Sequence, residues 1–280
     1  MLALASGVKI DAADEEGLDF LSRRVGTLHR QGISVIAKNV DTRERFERCV
    51  SIGADRYQGQ FLQEPERLES GELPVDQIAR LELLSVVNDP EAGIDRFESA
   101  ISKDITLSYK LLRYINSAMF SLQREIGSIR HAVTMLGIRW TRTWSNLVIL
   151  SAVSDRPQAV VTTAMVRAKM CEQLARRLGC AEPESHFTAG LLSMLDVFLG
   201  QDMHRILERL PLEEGLRDAL LEGTGERGLV LEAARAYERS IWEDAVCPGL
   251  TPGDLRDAYL DALIFARDTR RFLGELAPAA

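Results

Sequence analysis

Histidines, cysteines and grouped acids are the residues that hold metals or activate nucleophiles near neutral pH, and in this chain they are scattered. The histidines His29, His131, His186 and His204 have no second histidine four residues on and no adjacent aspartate, so no helix face presents a paired ligand set. Cys49, Cys171, Cys180 and Cys247 form no C-x-x-C pair and read as free thiols in a reducing compartment, not as a zinc knuckle or a disulfide framework. No G-x-S-x-G elbow, dinucleotide fingerprint or P-loop occurs, which removes the usual scaffolds of hydrolases and nucleotide triphosphatases. Arg139-Trp140-Thr141-Arg142-Thr143-Trp144 mixes cations with rings, as base-stacking surfaces do. Trp140 and Trp144 share one helical face, however, and read as a core or interface stripe.

Composition narrows the partners. The chain has 280 residues and a net charge of −8, with 46% hydrophobic and 27% charged residues. That length predicts two domains. Residues 1–72 carry 10 Lys+Arg against 13 Asp+Glu, and the remainder is also acidic, so no basic module is present to bind nucleic acid. The opening residues lack the basic stretch of a secretory signal. The apolar run from Ala189 to Leu199 is interrupted by Asp196 and falls short of the roughly 20 residues of a membrane span. A cytoplasmic protein with no membrane partner is expected.

The elements that must position any site fall into two groups. Strands are predicted over Val8–Ile10, Ile33–Ala37 and Asp55–Phe61. Between them lie a helix from Glu15 to Arg30, with Leu18, Leu21, Val25 and Leu28 on one face, and another from Arg43 to Ser51. This β-α-β-α-β order implies right-handed crossovers and parallel strands, too few to close a barrel. Three such strands leave open edges and an apolar face in need of cover, so a homodimer through this region is an open alternative. Residues 65–74, with two prolines and a glycine, read as a linker. Beyond them, helical periodicity dominates. Helices are predicted near 75–88, 93–102, 107–119, 128–136, 138–153, 159–179, 184–199, 201–209, 212–222, 228–240 and 251–274. The fold class is mainly α: a small β-α-β-α-β unit over 1–64, then an all-α domain over 75–280.

Three segments of the first unit carry a resemblance: Lys9-Ile10-Asp11, Val35 to Thr42, and Tyr57-Gln58-Gly59. Together they resemble the C-terminal part of an EAL-type cyclic di-GMP phosphodiesterase barrel, which reads K-[IL]-D, then I-A-E-G-V-E-T, then Q-G. The family activates water with two divalent metals held by acids and an amide from several strands. The earlier strands of that barrel have no counterpart ahead of Lys9. The two family glutamates fall on Lys38 and Asp41, which puts a cation where anions are needed. Lys9, Asp11, Asn39 and Gln58 remain as vestigial ligand positions, and no phosphodiesterase activity is expected.

The second region resembles the HDOD family, helical relatives of HD-type phosphohydrolases used as output modules in bacterial signalling. The match runs through Leu111-Leu112-Arg113-Tyr114-Ile115-Asn116-Ser117-Ala118, then Ile129 to Ile138 with Gly137, and includes Val87-Asn88-Asp89-Pro90 upstream. HD hydrolases hold metal through a His-Asp dyad within G-L-L-H-D. Here the run is Gly190-Leu191-Leu192-Ser193-Met194, so Ser193 and Met194 replace the dyad, and neither suits a hydrolytic divalent ion. Asn116, Ser117 and Gly137 read as helix-end hydrogen bonding and a tight turn, with ligand contact as the alternative.

In order, the two segments resemble EAL-HDOD (YuxH-like) signal-transduction proteins. The resemblance implies a non-catalytic regulatory module without cofactor that binds other signalling proteins, as the output part of a response regulator. Two alternatives stay open: a sensor that binds cyclic di-GMP without cleaving it, and an HD-like metal-dependent phosphohydrolase.

Overall fold

Alternation with period two decides how the first strands lie. Val8 and Ile10 in β1 (Gly7–Asp11) point to one side, as do Val35 and Ala37 in β2 (Ser34–Lys38) and Tyr57 in β3 (Arg56–Gln58). The strands are parallel in the order β1-β2-β3, with Val8 opposite Val35, Ile10 opposite Ala37, and Ala37 opposite Tyr57. Helix α1 (Glu15–Arg30) follows β1 and α2 (Arg43–Ile52) follows β2. Leu18, Leu21, Val25 and Leu28 of α1 pack with Ile10, Val35, Ala37, Val40, Cys49 and Phe61 into one core. The helix starts are set locally. The Asp14 carboxylate accepts from Gly17 N at 2.8 Å and the Thr42 hydroxyl accepts from Arg45 N at 3.3 Å. Gly53, at φ 98°, ends α2.

The computed structural model describes residues 5–63, 74–116, 125–152 and 157–274. It divides into two compact units, Met1–Pro65 and Glu66–Ala280. Of the expected linker over 65–74 only Pro74 lies within the described residues.

Two expectations for the first unit are corrected. The third strand was predicted to reach Phe61 but stops at Gln58. A Cβ on Gly59 would sit 1.9 Å from the Val40 carbonyl oxygen, so the chain presses against the preceding loop and leaves the sheet, and Phe61–Gln63 forms a 3-10 turn. The helix-free face of the sheet was expected to be apolar. It carries Lys9 and Asp11 from β1, Ser34, Ile36 and Lys38 from β2, and Arg56 and Gln58 from β3, so Ile36 is its one large apolar side chain.

The second unit is helical: α3 (Val75–Asn88), α4 (Ile94–Ser102), α5 (Ile105–Ile115), α6 (Ile129–Leu136), α7 (Ile138–Ser151), α8 (Gln158–Leu178), α9 (Pro183–Leu192), α10 (Leu195–Leu199), α11 (Met203–Leu207), α12 (Glu214–Leu221), α13 (Gly225–Glu238) and α14 (Pro252–Gly274). Helix α14, on which Ala258, Ala262 and Ala266 are small and buried, packs along α8, where Arg177 meets Asp261 at 3.5 Å. Of the Trp140–Trp144 stripe, Trp144 belongs to the interior, while Trp140 is half-buried beside it, 5.5 Å away between ring centroids. The Trp144 ring lies 4.6 Å from Tyr114, 5.6 Å from Phe187 and 5.9 Å from Phe265 between centroids.

Here too the sequence reading needs correction. The helix expected over 184–199 is two helices, broken at Ser193-Met194, because the Ser193 hydroxyl donates to the Gly190 carbonyl at 2.8 Å and competes with the helical ladder. The helix expected to run to Met119 ends at Ile115, with Asn116 as its cap. Among the described residues no helix is long and apolar enough to cross a membrane.

Candidate functional site

Of the six residues on which the EAL resemblance puts ligand positions, Lys9, Asp11, Lys38, Asn39, Asp41 and Gln58, the structure brings all but Asp41 together. Asp11, Lys38 and Gln58 are aligned across the three strands at their C-terminal ends, where parallel α/β units place their sites. Lys38 Nζ lies 3.0 Å from Asp11 Oδ2. Asn39 Nδ2 donates to both Asp11 oxygens at 3.0 Å, and Ala13 N donates to Asp11 Oδ1 at 3.0 Å. Lys9 reaches across the middle strand to donate to Gln58 Oε1 at 2.9 Å. Asp41 does not join this group; its carboxylate accepts from Gln60 N at 3.0 Å. Asp11 is therefore the one acid in the cluster, and its lone pairs are occupied by three donors. The Lys38 ammonium, then the Asn39 amide and Ala13 N–H, hold its carboxyl below the ordinary aspartate range. With Lys9 and Lys38 against this single acid the cluster is cationic by one charge, whereas a divalent-metal pair demands surplus negative charge.

Asn39 itself has φ 60°, the left-handed region that asparagine tolerates better than most residues. This conformation turns its side chain amide toward Asp11.

In the second unit the Ser193-Met194 pair is buried. Met194 is part of the hydrophobic core. Ser193 accepts at 3.0 Å from Arg167 Nη1, and the same guanidinium donates through Nε and Nη2 to Glu238 Oε2 at 3.0 and 2.8 Å. Arg167 comes from α8, Ser193 from the end of α9 and Glu238 from the end of α13, so one buried ion pair ties three elements at the dyad positions. Close by in sequence, burial raises the Asp196 carboxyl above the usual carboxylate range.

Asn116 is committed to the backbone. Its Nδ2 donates to the Ile126 carbonyl at 2.8 Å and its Oδ1 accepts from Ile126 N at 2.7 Å, which ties the end of α5 to the residues just before α6. Gly137 has φ 87° and ψ 153°, a conformation that glycine adopts without strain, and it joins α6 to α7. Ser117 lies outside the described residues. Asn88 and Asn146 exchange side chain hydrogen bonds of 2.8 Å in both directions.

A cleft of about 650 Å³ in this unit is lined in part by Asn88, Ile94, Arg139, Arg142, Thr188 and Arg227. Its cations are engaged: Arg139 pairs with Glu182, Arg227 lies 3.1 Å from Glu213, and Arg142 donates to the Ala92 carbonyl at 2.8 Å. Of the histidines, His29 Nε2 meets Asp55 Oδ2 at 2.9 Å, a pairing through space that no sequence neighbour announced. His186 is 2% exposed and lies inside the helical unit.

Residues 73–210 match the family model of the HDOD domain. The chain is 28% identical over 239 residues to the protein YuxH of Bacillus subtilis, covering 83% of this chain and 58% of that protein. It is also 28% identical over 244 residues to a Vibrio cholerae protein named cyclic di-GMP phosphodiesterase CdgJ, covering 85% and 56%. Both alignments are longer than residues 66–280, so the likeness extends into the first unit. The chain spans little more than half the length of these relatives. Among solved structures, an HDOD domain protein from Geobacter sulfurreducens superposes with a TM-score of 0.44 at 18% identity, over 73% of this chain and 91% of that one.

Proposed function

We propose, from the HDOD domain that residues 73–210 carry, that the chain is a non-catalytic module of bacterial signalling. It acts by binding other signalling proteins, as the output part of a response regulator. One observation carries this reading: at both places where the resemblances put metal-holding groups, the protein supplies a cation of its own. Lys38 sits on Asp11 in the first unit, and Arg167 is buried between Ser193 and Glu238 in the second. Metal-assisted phosphodiester hydrolysis needs anionic or imidazole ligands at those positions, and a fixed lysine or arginine repels the ion.

The first unit is read as a partial, degenerate EAL unit. Asn39 is left-handed at the position where the EAL segment has glycine, and Gly59 has no room for a Cβ beside the Val40 carbonyl. Both features suit the motif I-A-E-G-V-E-T followed by Q-G.

A second reading is a sensor that binds cyclic di-GMP without cleaving it. Favouring it, Lys9, Asp11, Lys38, Asn39 and Gln58 form a hydrogen-bonding group on the helix-free face of the sheet, and one relative is named as a phosphodiesterase of that dinucleotide.

Calorimetric titration of the pure protein with cyclic di-GMP and Mg²⁺, followed by product analysis of the same sample, tests both readings. No heat and no product is the expected result. Micromolar binding, about −8 kcal/mol, without product supports the sensor, and turnover that follows the protein through purification overturns the non-catalytic reading.

A further inference from the structure

Cys180 and His186, six residues apart, converge with Glu226 where α8, α9 and α13 meet. Gly179, at φ 76°, ends α8 and sets Cys180 immediately beyond it. His186 lies on α9, which starts at Pro183, and Glu226 lies in the first turn of α13. The ends are pinned together by Arg227, whose Nε donates to the Ser185 hydroxyl at 2.9 Å and whose charge is balanced by Glu213. Cys180 Sγ, an imidazole nitrogen of His186 and a Glu226 carboxylate oxygen all lie within 4.8 Å of one another.

The hydrogen bonding of His186 points to what the group holds. Nδ1 lies 3.2 Å from the Glu182 carbonyl oxygen. A carbonyl only accepts, so Nδ1 carries the proton and Nε2 presents its lone pair. That Nε2 is buried and has no hydrogen-bond partner, and it faces Glu226 Oε1 at 3.5 Å. The buried Nε2 lone pair thus faces a carboxylate that is itself hydrogen-bonded to Cys180, a donor set that a bound cation satisfies. A ring N–H anchored on a backbone carbonyl is also the arrangement that orients metal-ligating histidines.

We propose that Cys180 Sγ, His186 Nε2 and the Glu226 carboxylate bind a divalent transition-metal ion of the zinc class. Thiolate, imidazole and carboxylate are the zinc ligand types, and a thiolate disfavours Mg²⁺ and Ca²⁺. Bond lengths of roughly 2.0–2.3 Å bring tetrahedral ligand atoms to roughly 3.3–3.8 Å apart, so the 3.5 Å between His186 and Glu226 already fits and any wider separation in the group, at most 4.8 Å, closes by about 1 Å or less. The Glu226 side chain is 65% exposed and can move. Binding exchanges the Cys180 thiol proton, which leaves to solvent, for the metal. The fourth position opens on a cleft of about 390 Å³ lined by Cys180, Glu226, Val230 and Cys247. The ion thereby staples the ends of α8, α9 and α13, separately from the Arg167–Glu238 pair.

The test is titration of the full chain, purified without an affinity tag, stripped of metal and held reduced, with Co²⁺ and then Zn²⁺. One Co²⁺ per chain is expected, with near-ultraviolet thiolate-to-cobalt absorption that Zn²⁺ abolishes. Cys180→Ala should remove that absorption, while Cys49→Ala, which deletes a thiol of the first unit, should keep it. His186→Gln should weaken binding by more than the roughly 10- to 100-fold that loss of a supporting group costs. If His186→Gln does not fold, Glu226→Gln, a substitution of a half-exposed side chain, gives the same reading through weakened Co²⁺ affinity. Absence of the band in the wild type, or its survival in Cys180→Ala, overturns the proposal.

Discussion

Arg167 and Glu238 form an ion pair of 2.8 Å in which both side chains are 5% exposed, so neither charge has water to fall back on. Burying two such ions costs several kcal/mol each, and the pair offsets this only while both members are present. Arg167→Met leaves Glu238 ionised in the interior and should destabilise the second unit by about 3–5 kcal/mol. The double variant Arg167→Met/Glu238→Leu should recover most of that loss. Trp140, Trp144 and Trp242 all lie in this unit, so urea unfolding followed by tryptophan fluorescence reads it directly. A double variant no more stable than the single one would assign the cost to lost packing instead of to an unpaired charge.

Close packing of α8 on α9 depends on one missing methyl group. A Cβ on Gly190 would sit 2.7 Å from the Ala168 Cα and 2.9 Å from the Arg167 carbonyl oxygen, both backbone atoms that cannot step aside. Gly190→Ala must therefore separate the helices and disturb the Arg167 hydrogen bonds that cross between them. A loss of about 1–3 kcal/mol is expected, the usual cost of overpacking, with reduced protection of the Ser193 and Met194 amides in hydrogen exchange. Unchanged stability would mean that the two helices are free to slide.

How far the sequence carries can be traced residue by residue. The first unit is legible because its signals are local: Leu18, Leu21, Val25 and Leu28 mark the buried face of α1, while Asp14, Thr42 and Gly53 mark helix ends. Its polar sheet face follows from period two only once register sets Asp11, Lys38 and Gln58 in one row, and that register is fixed by pairing between strands distant in sequence. The break at Ser193 depends on a hydroxyl that also serves Arg167 from another helix, and no local pattern encodes that. His186 looked isolated for the same reason. Its neighbours Cys180 and Glu226 are supplied by other elements, and the one local hint is that Cys180 and His186 flank the Pro183 start of α9.

The charge pairing at the sheet end makes a pH prediction. Asp11 is held below the ordinary aspartate range, chiefly by its bond to Lys38 and then by Asn39 and Ala13. Its folded pKa lies below the unfolded value, so its stabilising contribution is present above about pH 4 and fades as pH falls through the depressed folded value. The carboxyl carbon of Asp11, followed by NMR, should titrate below its ordinary midpoint, and in Lys38→Met the midpoint should rise toward it. A midpoint that does not move in that variant would remove Lys38 as the principal cause.

Asn116 offers the most direct separation of a scaffolding role from a ligand-contacting one within the HDOD motif. Its amide satisfies both the N–H and the C=O of Ile126, a residue 3% exposed, so each half of the side chain has a distinct backbone duty. Asn116→Ala strands two backbone groups away from water, and each such group costs about 1–3 kcal/mol. Asn116→Asp keeps the acceptor for Ile126 N but sets a carboxylate oxygen against the Ile126 carbonyl. It should therefore be destabilised at neutral pH and partly restored under mildly acidic conditions, where the protonated acid can donate. Tryptophan-monitored unfolding of the three proteins at two pH values checks the ranking. Wild-type stability in both variants, with loss of a binding partner in a pull-down, would move Asn116 from scaffold to contact surface.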